Sequence, residues 1–106
     1  MANGFLGIFS DTILQWREPS GGFDFVFLKE RGIKQTRGRF PAWSSYEAIQ
    51  SCSVECMGNL YPVLKFTQRK KRFYFIAPVS LITLPSEISL EAVLGILRFK
   101  GIHVLA

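Results

Sequence analysis

The sequence has few of the side chains that carry out chemistry: one histidine, two cysteines and eight acidic residues among 106. The sole imidazole, His103, lies in the C-terminal tail, and Asp11, Asp24, Glu47 and Glu55 follow no spacing that pairs them. Enzymes need acid, base or nucleophilic groups that converge on one point. We therefore expect this chain not to be an enzyme. A triad that uses His103 is the alternative.

The two cysteines are too few for a metal site and too far apart for a disulfide. Cys52 and Cys56 lie four residues apart in a strand-like segment, which separates them by about 13 Å. A disulfide needs Cα atoms within about 7 Å, and a zinc site would need two further ligands. We expect both thiols to be buried as small apolar side chains, with no metal and no cofactor.

The chain also lacks a long apolar run and the pattern of a signal peptide. No apolar stretch reaches the ~20 residues of a membrane span, and Met1 to Gly4 includes no basic residue. These absences predict a cytoplasmic protein without a membrane span. The net charge of +5 and the pI near 9.6 permit an anionic partner without requiring one.

Apolar residues are abundant, at 48% of the chain with ten phenylalanines. The length suits one core, so residues 1–106 are predicted to form a single domain. Period-2 alternation and the breaker residues between segments predict short antiparallel strands, with residues 39–43 as a connection. The predicted strands are residues 11–16, 23–28, 33–37, 46–56, 60–68, 73–77 and 79–84.

Parity within these strands predicts which side chains face the core and where the chain turns. Gly32 is expected to take a positive φ in a hairpin turn over residues 29–32, and residues 69–72, RKKR, are expected at a second hairpin tip. The side chains predicted to face inward include Phe23, Phe25, Phe27, Cys52, Cys56, Leu64, Phe66, Phe73 and Phe75.

One helix is predicted from about Leu90 to Lys100. Ser89 suits the N-cap position, and Gly101 can end the helix in the left-handed conformation. Apolar residues occupy nearly the whole circumference of this helix, so a sheet and a second copy of the chain are both candidates to cover it. Ile96 and Phe99 are the residues predicted to make that second contact.

Two basic groups on the predicted hairpins form a candidate anion site. In this interpretation they bind anionic lipid or nucleic acid. The simpler interpretation is that charged hairpin tips keep the protein soluble and protect strand edges. The candidate residues are Lys29, Arg31, Arg69, Lys70, Lys71 and Arg72.

Three stretches resemble bacterial pleckstrin-homology-like domains. They are DTILQWREPS at residues 11–20, Gly-Ile at 32–33 followed by WSSYEAI at 43–49, and residues 90–104. The middle stretch has two extra residues compared with the pattern of that family. The resemblance implies an α+β, mainly β fold: a small antiparallel barrel or roll of six or seven strands with one C-terminal helix. It also implies an interaction or oligomerisation module.

Residue chemistry and resemblance together predict a non-enzymatic interaction module that acts through protein contacts and self-association. The expected partner is another copy of the chain or another protein. The alternative function is electrostatic binding of anionic lipid or nucleic acid through the basic hairpin tips.

Overall fold

Eight strands and one α-helix form the described part of the chain, residues 11–19, 24–56, 61–69 and 75–105, in the computed structural model. The fold is therefore mainly β with one helix, as the sequence predicts. A 3₁₀ turn spans Tyr46–Ala48. The elements are β1 Thr12–Arg17, β2 Phe25–Lys29, β3 Gly32–Gln35, β4 Ala42–Ser45, β5 Ile49–Glu55, β6 Val63–Gln68, β7 Leu81–Thr83, α1 Leu90–Phe99 and β8 His103–Leu105.

The strands form two open sheets of four strands each. The first has the order β1-β2-β3-β4 and the second β7-β6-β5-β8. Strand β8 pairs with β5 in parallel, with Ser51 opposite His103, whereas the other pairs are antiparallel. The predicted antiparallel barrel or roll of six or seven strands is therefore corrected to two open sheets with eight strands, one of them parallel to its neighbour. The chain reaches β8 only after α1, and a parallel pairing requires such a crossover.

The first sheet buries the opposite face of β2 from the one predicted. Val26 and Leu28 are fully buried, while Phe25 is exposed and Phe27 is half-buried. The aromatic side chains cover the outer face, where the Phe25 and Phe27 rings lie 6.3 Å apart. Both parities of this strand are apolar, so alternation alone could not choose between them. Phe23 lies outside the described residues.

Gly32 is needed for close approach and not for a positive φ, which it does not have. It pairs with Ser45 across β3 and β4, and a Cβ atom at this position would lie 2.4 Å from the Ser44 carbonyl oxygen. The predicted connection over residues 39–43 is also corrected, because Ala42 begins β4.

The second sheet begins later than predicted. Residues 46–48 form a 3₁₀ turn before β5, and a register shift between Ile49 and Ser51 changes the parity of the strand. Cys52 is buried and Cys56 is exposed, and both are free thiols. The absence of a disulfide is as predicted, but the burial of Cys56 is not.

Strand β6 buries Leu64 and Phe66 as predicted, but its hairpin partner differs from the prediction. It pairs with β7, and residues 75–77 form no strand. Phe75 is 94% exposed, so the inward placement predicted for it is wrong. Residues 75–80 contain no strand, and Lys70, Lys71 and Arg72 of the predicted hairpin tip lie outside the described residues. Phe73 lies outside the described residues.

Helix α1 begins and ends where the local sequence predicts. The Ser89 hydroxyl accepts a hydrogen bond from the Ala92 N–H at 3.2 Å, and Gly101 has a φ of 92°. Its inner face enters a core shared with both sheets. The buried apolar residues of that core are Trp16, Val26, Leu28, Ile33, Ala42, Tyr46, Ile49, Cys52, Leu64, Phe66, Val79, Ile82, Leu84, Val93, Leu94, Leu97 and Ile102.

A buried polar cluster connects the two sheets. The Glu18 carboxyl group, just after β1, accepts hydrogen bonds from Gln35 Nε2 at 2.7 Å and from the Thr83 N–H at 2.9 Å. Gln35 also donates to the Leu81 carbonyl, and the Trp16 indole N–H donates to the Thr83 carbonyl. These bonds hold β7 of the second sheet against β1 and β3 of the first.

Candidate protein-interaction surface

A groove of about 450 Å³ runs along the outer face of α1 beside the start of β1. Its wall is apolar except at one end, where an acidic and a basic residue meet. We call it the helix groove. Its lining residues are Ile13, Glu30, Ala92, Gly95, Ile96, Phe99 and Lys100.

The groove exists because the outward face of α1 combines small residues with one large ring. Ala92 and Gly95 are exposed, and a Cβ at Gly95 would meet no atom within 4 Å apart from its chain neighbours and the backbone of its own helix. Phe99, one turn further along, is 86% exposed. The opposite face of the helix is buried through Val93, Leu94 and Leu97. The Phe99 ring therefore projects beside a part of the helix surface where the side chains are small.

The predicted contact residues both line this groove, in different ways. Phe99 is exposed as predicted, whereas Ile96 is half-buried and packs against the core. The sequence prediction did not include Ile13, which is 40% exposed at the register shift of β1, or Ala92. The exposure of Ile13 could be predicted in part. Ile13, Gln15 and Arg17 alternate along β1 with their side chains outward, and Ile13 is the apolar one of the three.

An ion pair forms the polar end of the groove. The Lys100 Nζ lies 3.3 Å from a Glu30 carboxylate oxygen. The same ammonium group lies 5.5 Å from the centre of the Tyr46 ring and 5.9 Å from that of Phe99, within the range of cation–π attraction. Lys100 is thereby held beside the exposed ring and gives the groove a fixed, charged boundary.

A second cavity of about 420 Å³ adjoins the groove across this ion pair. Burial, aided by the nearby Glu30 carboxylate, raises the pKa of Tyr46 to about 12. Its hydroxyl donates a hydrogen bond to the Lys29 carbonyl. Tyr46 therefore stays protonated at neutral pH and is not available as a base. The cavity lining is Glu30, Arg31, Ser45, Tyr46, Glu47 and Lys100.

The predicted anion-binding residues are only partly described. Lys29 forms an ion pair with Asp11 at 3.1 Å. Arg31 lies in the second cavity with Glu30 and Glu47.

Arg69 lies beside the same 3₁₀ turn, where its Nε donates to the Glu47 carbonyl at 2.9 Å. The fold thus brings Arg31 and Arg69 to one turn, but it places carboxylates among them. Lys70, Lys71 and Arg72 lie outside the described residues.

The described residues form no cluster of side chains that could hold a metal ion. His103 is exposed on β8. Within residues 11–19, 24–56, 61–69 and 75–105, no three His, Cys, Asp or Glu side chains lie close enough to share a metal ion. Burial raises the pKa of the Cys52 thiol to about 11, which disfavours the reactive thiolate at neutral pH.

No helix in the described ranges has the length and apolar character needed to cross a bilayer. Comparison with protein-family models, with curated proteins and with solved structures finds no match to this chain.

Proposed function

We propose that this chain is a non-enzymatic protein-interaction module and that the helix groove is its contact surface. The observation that carries the proposal is the position of Phe99, 86% exposed on a helix whose other face is part of the core. A large exposed ring beside a concave apolar surface is characteristic of sites where proteins bind.

The energetics of the groove favour a protein over a small molecule. Complete burial of a Phe side chain contributes about 1.5–3 kcal/mol. Ile13 and Ala92 would add apolar area around it, while Glu30 and Lys100 would form a polar rim. A central apolar anchor with a charged edge is the usual arrangement of a protein–protein contact. The groove offers few of the inward-pointing polar groups that orient a small ligand.

Photo-cross-linking from inside the groove tests this proposal. A benzophenone side chain placed at position 99 should form covalent adducts with a protein. The matched control is position 40, because Phe40 is also a highly exposed phenylalanine, at 74%, but does not line the groove. We expect adducts from position 99 and few from position 40. Equal yields, or no protein adduct from position 99, would contradict the proposal.

Kinship with bacterial pleckstrin-homology-like domains remains a proposal. It is supported by the order of the elements, with β-strands followed by one helix that packs on the core. It no longer includes a closed barrel, because the two sheets are open and a strand follows the helix.

Binding of anionic lipid or nucleic acid, and a cytoplasmic location, also remain predictions. Glu30 and Glu47 beside Arg31 weaken the case for a phosphate site there. Co-sedimentation with anionic vesicles and with oligonucleotides at two salt concentrations separates this function from the first. Phosphate binding should weaken steeply as salt rises, and the absence of binding at low salt would exclude it.

A further inference from the structure

We infer that the partner in the helix groove is a second copy of this chain, with the two α1 helices packed antiparallel about a two-fold axis near Gly95. The inference rests on the proposed function and specifies its partner. Its basis is the way charge and apolar surface are divided on the exposed face of the helix.

The exposed face of α1 has a charged edge and an apolar edge. At about 100° per residue, Glu91 and Arg98 lie about 40° and 60° to one side of Gly95, and Phe99 and Ala92 lie about 40° and 60° to the other. All five residues are exposed. Gly95 therefore marks the centre line between a charged edge and an apolar edge.

Under two-fold symmetry, the charged and apolar edges of α1 face matching edges of a second copy only when the two helices run antiparallel. In an antiparallel pair with the axis perpendicular to the helices, each edge of one helix faces the same edge of the other. Charged edge then meets charged edge, and apolar edge meets apolar edge. In a parallel pair the axis runs along the helices, and the charged edge of each copy would face the apolar edge of its partner. That contact would remove water from charged side chains without giving them a polar partner. The antiparallel pair avoids this cost.

Charge signs within the charged edge also match in the antiparallel pair. Glu91 and Arg98 are separated by about 10 Å along the axis, with their midpoint within one residue of Gly95. An axis at that point places Glu91 against the partner's Arg98, and Arg98 against the partner's Glu91. Neither side chain has an ion-pair partner among the described residues, so both remain available for this exchange. The opposed helix dipoles add to the attraction.

On the apolar edge, a large side chain of one copy faces a small side chain of the other. The same axis places Phe99 over the partner's Ala92, where the groove is lined by small side chains and by Ile13 and Ile96. Gly95 has no Cβ to hold the two helices apart at the axis, and close approach at a small residue is a common feature of packed helix pairs. Each copy thus supplies one projecting ring and receives one.

The helix pair alone is small for a stable dimer, because stable interfaces usually bury about 1,200–2,000 Å². We therefore expect an association that depends on concentration. Light scattering across a dilution series should show the apparent mass rising from 12.0 kDa toward twice that value.

Phe99→Asp should remain at 12.0 kDa at the highest concentration. Phe40→Asp should behave as the wild type, because Phe40 lies on the β3–β4 connection outside the groove. Phe99 is largely exposed, so its replacement should leave the fold unchanged. Circular dichroism verifies this for each variant.

A charge exchange tests the orientation. Glu91→Arg alone, or Arg98→Glu alone, replaces two attractive contacts with two repulsive ones and should weaken association about tenfold. The double variant Glu91→Arg/Arg98→Glu keeps the net charge at +5 and should recover association to within about threefold of the wild type. A purely structural effect of these substitutions would not be reversed in the double variant.

The outcomes distinguish this inference from the proposed function. Recovery in the double variant supports the antiparallel pair. A wild type that stays monomeric, or a double variant weaker than both singles, overturns it. If position 99 cross-links to a different protein while the wild type is monomeric, the result supports the interaction module and excludes the pairing of two copies. A cross-link from position 99 into residues 1–10 of the same chain overturns both.

Discussion

Individual residues in this protein matter through the space around them as much as through their chemistry. Gly32 illustrates this, because its hydrogen atom faces the Ser44 carbonyl oxygen at a distance that excludes any side chain. Sequence reasoning correctly identified a position that requires glycine, but it assigned the wrong cause. A tight turn and a close contact between strands both exclude a Cβ atom. At Gly32 the cause is the close contact between β3 and β4.

Gly32→Ala should destabilise the fold by at least about 2 kcal/mol, because the new methyl group meets backbone atoms that cannot rotate away. Urea unfolding followed by Trp fluorescence measures the effect. Gly95→Ala, measured at a dilution where the chain is monomeric, is the matched control, since the same methyl group enters open space on a helix and should not destabilise. Equal losses in the two variants would show that steric contact at Gly32 is not the cause.

At the scale of elements, α1 is the part of the chain that local sequence specifies best. Its N-cap, its first-turn acid and its terminal glycine all lie within a few residues of the ends that they set. Strands are specified less well, because their pairing depends on distant partners. Strand β2 could bury either face, and the four residues of β4 are too few to show the period-2 alternation that predicts a strand.

Ser89→Ala should lower the free energy of unfolding by about 1 kcal/mol, because the Ala92 N–H loses its side-chain acceptor. Ser86→Ala is the control, since that hydroxyl hydrogen-bonds only to the neighbouring exposed Glu87. Thermal unfolding measures the midpoint temperature of each variant. Similar midpoints for Ser89→Ala and Ser86→Ala would mean that the cap does not hold the helix.

At the scale of the whole molecule, the two sheets are joined by one shared core and by the polar cluster around Glu18. That cluster matters because β7 is only three residues long and pairs with one strand. Hydrogen bonds from Thr83 and Gln35 to the buried carboxyl group connect it to the other sheet. A further buried hydrogen bond, from the Val79 N–H to the Ser44 hydroxyl at 2.9 Å, joins β4 to the segment that leads into β7.

Glu18→Ala should cost about 2–3 kcal/mol, because the partly buried Thr83 N–H loses its acceptor and the buried Gln35 amide loses one of its two acceptors. Glu87→Ala, at an exposed site, should change stability by less than about 0.5 kcal/mol. Urea unfolding measures both variants. Hydrogen exchange at Thr83 should also accelerate in Glu18→Ala, and an unchanged exchange rate there would contradict the role of Glu18 as the link between the sheets.

The candidate surface shows the same division between local and non-local information. Phe99 was identifiable from the sequence, because the helix is too apolar for its own core to cover it completely. Ile13 was identifiable only as an outward apolar residue and not as part of this surface, because it lies in β1, about eighty residues earlier in the chain, and only the packing of α1 beside that strand joins the two. The basic groups stay a prediction: Arg31 and Arg69 are exposed and Lys29 is half-buried, and of the two carboxylates near Arg31, Glu30 is its neighbour in the sequence while Glu47 comes from the 3₁₀ turn.

Local signals in the amino-acid sequence set the class of fold, the ends of the helix and the burial of Leu64 and Phe66. Long-range packing set the inward face of β2, the parallel pairing of β8 with β5, and the position of Ile13 beside Phe99. The reason is physical. A cap or a turn is set by neighbours in the chain, whereas a face or a sheet order depends on the free energy of contacts between distant segments.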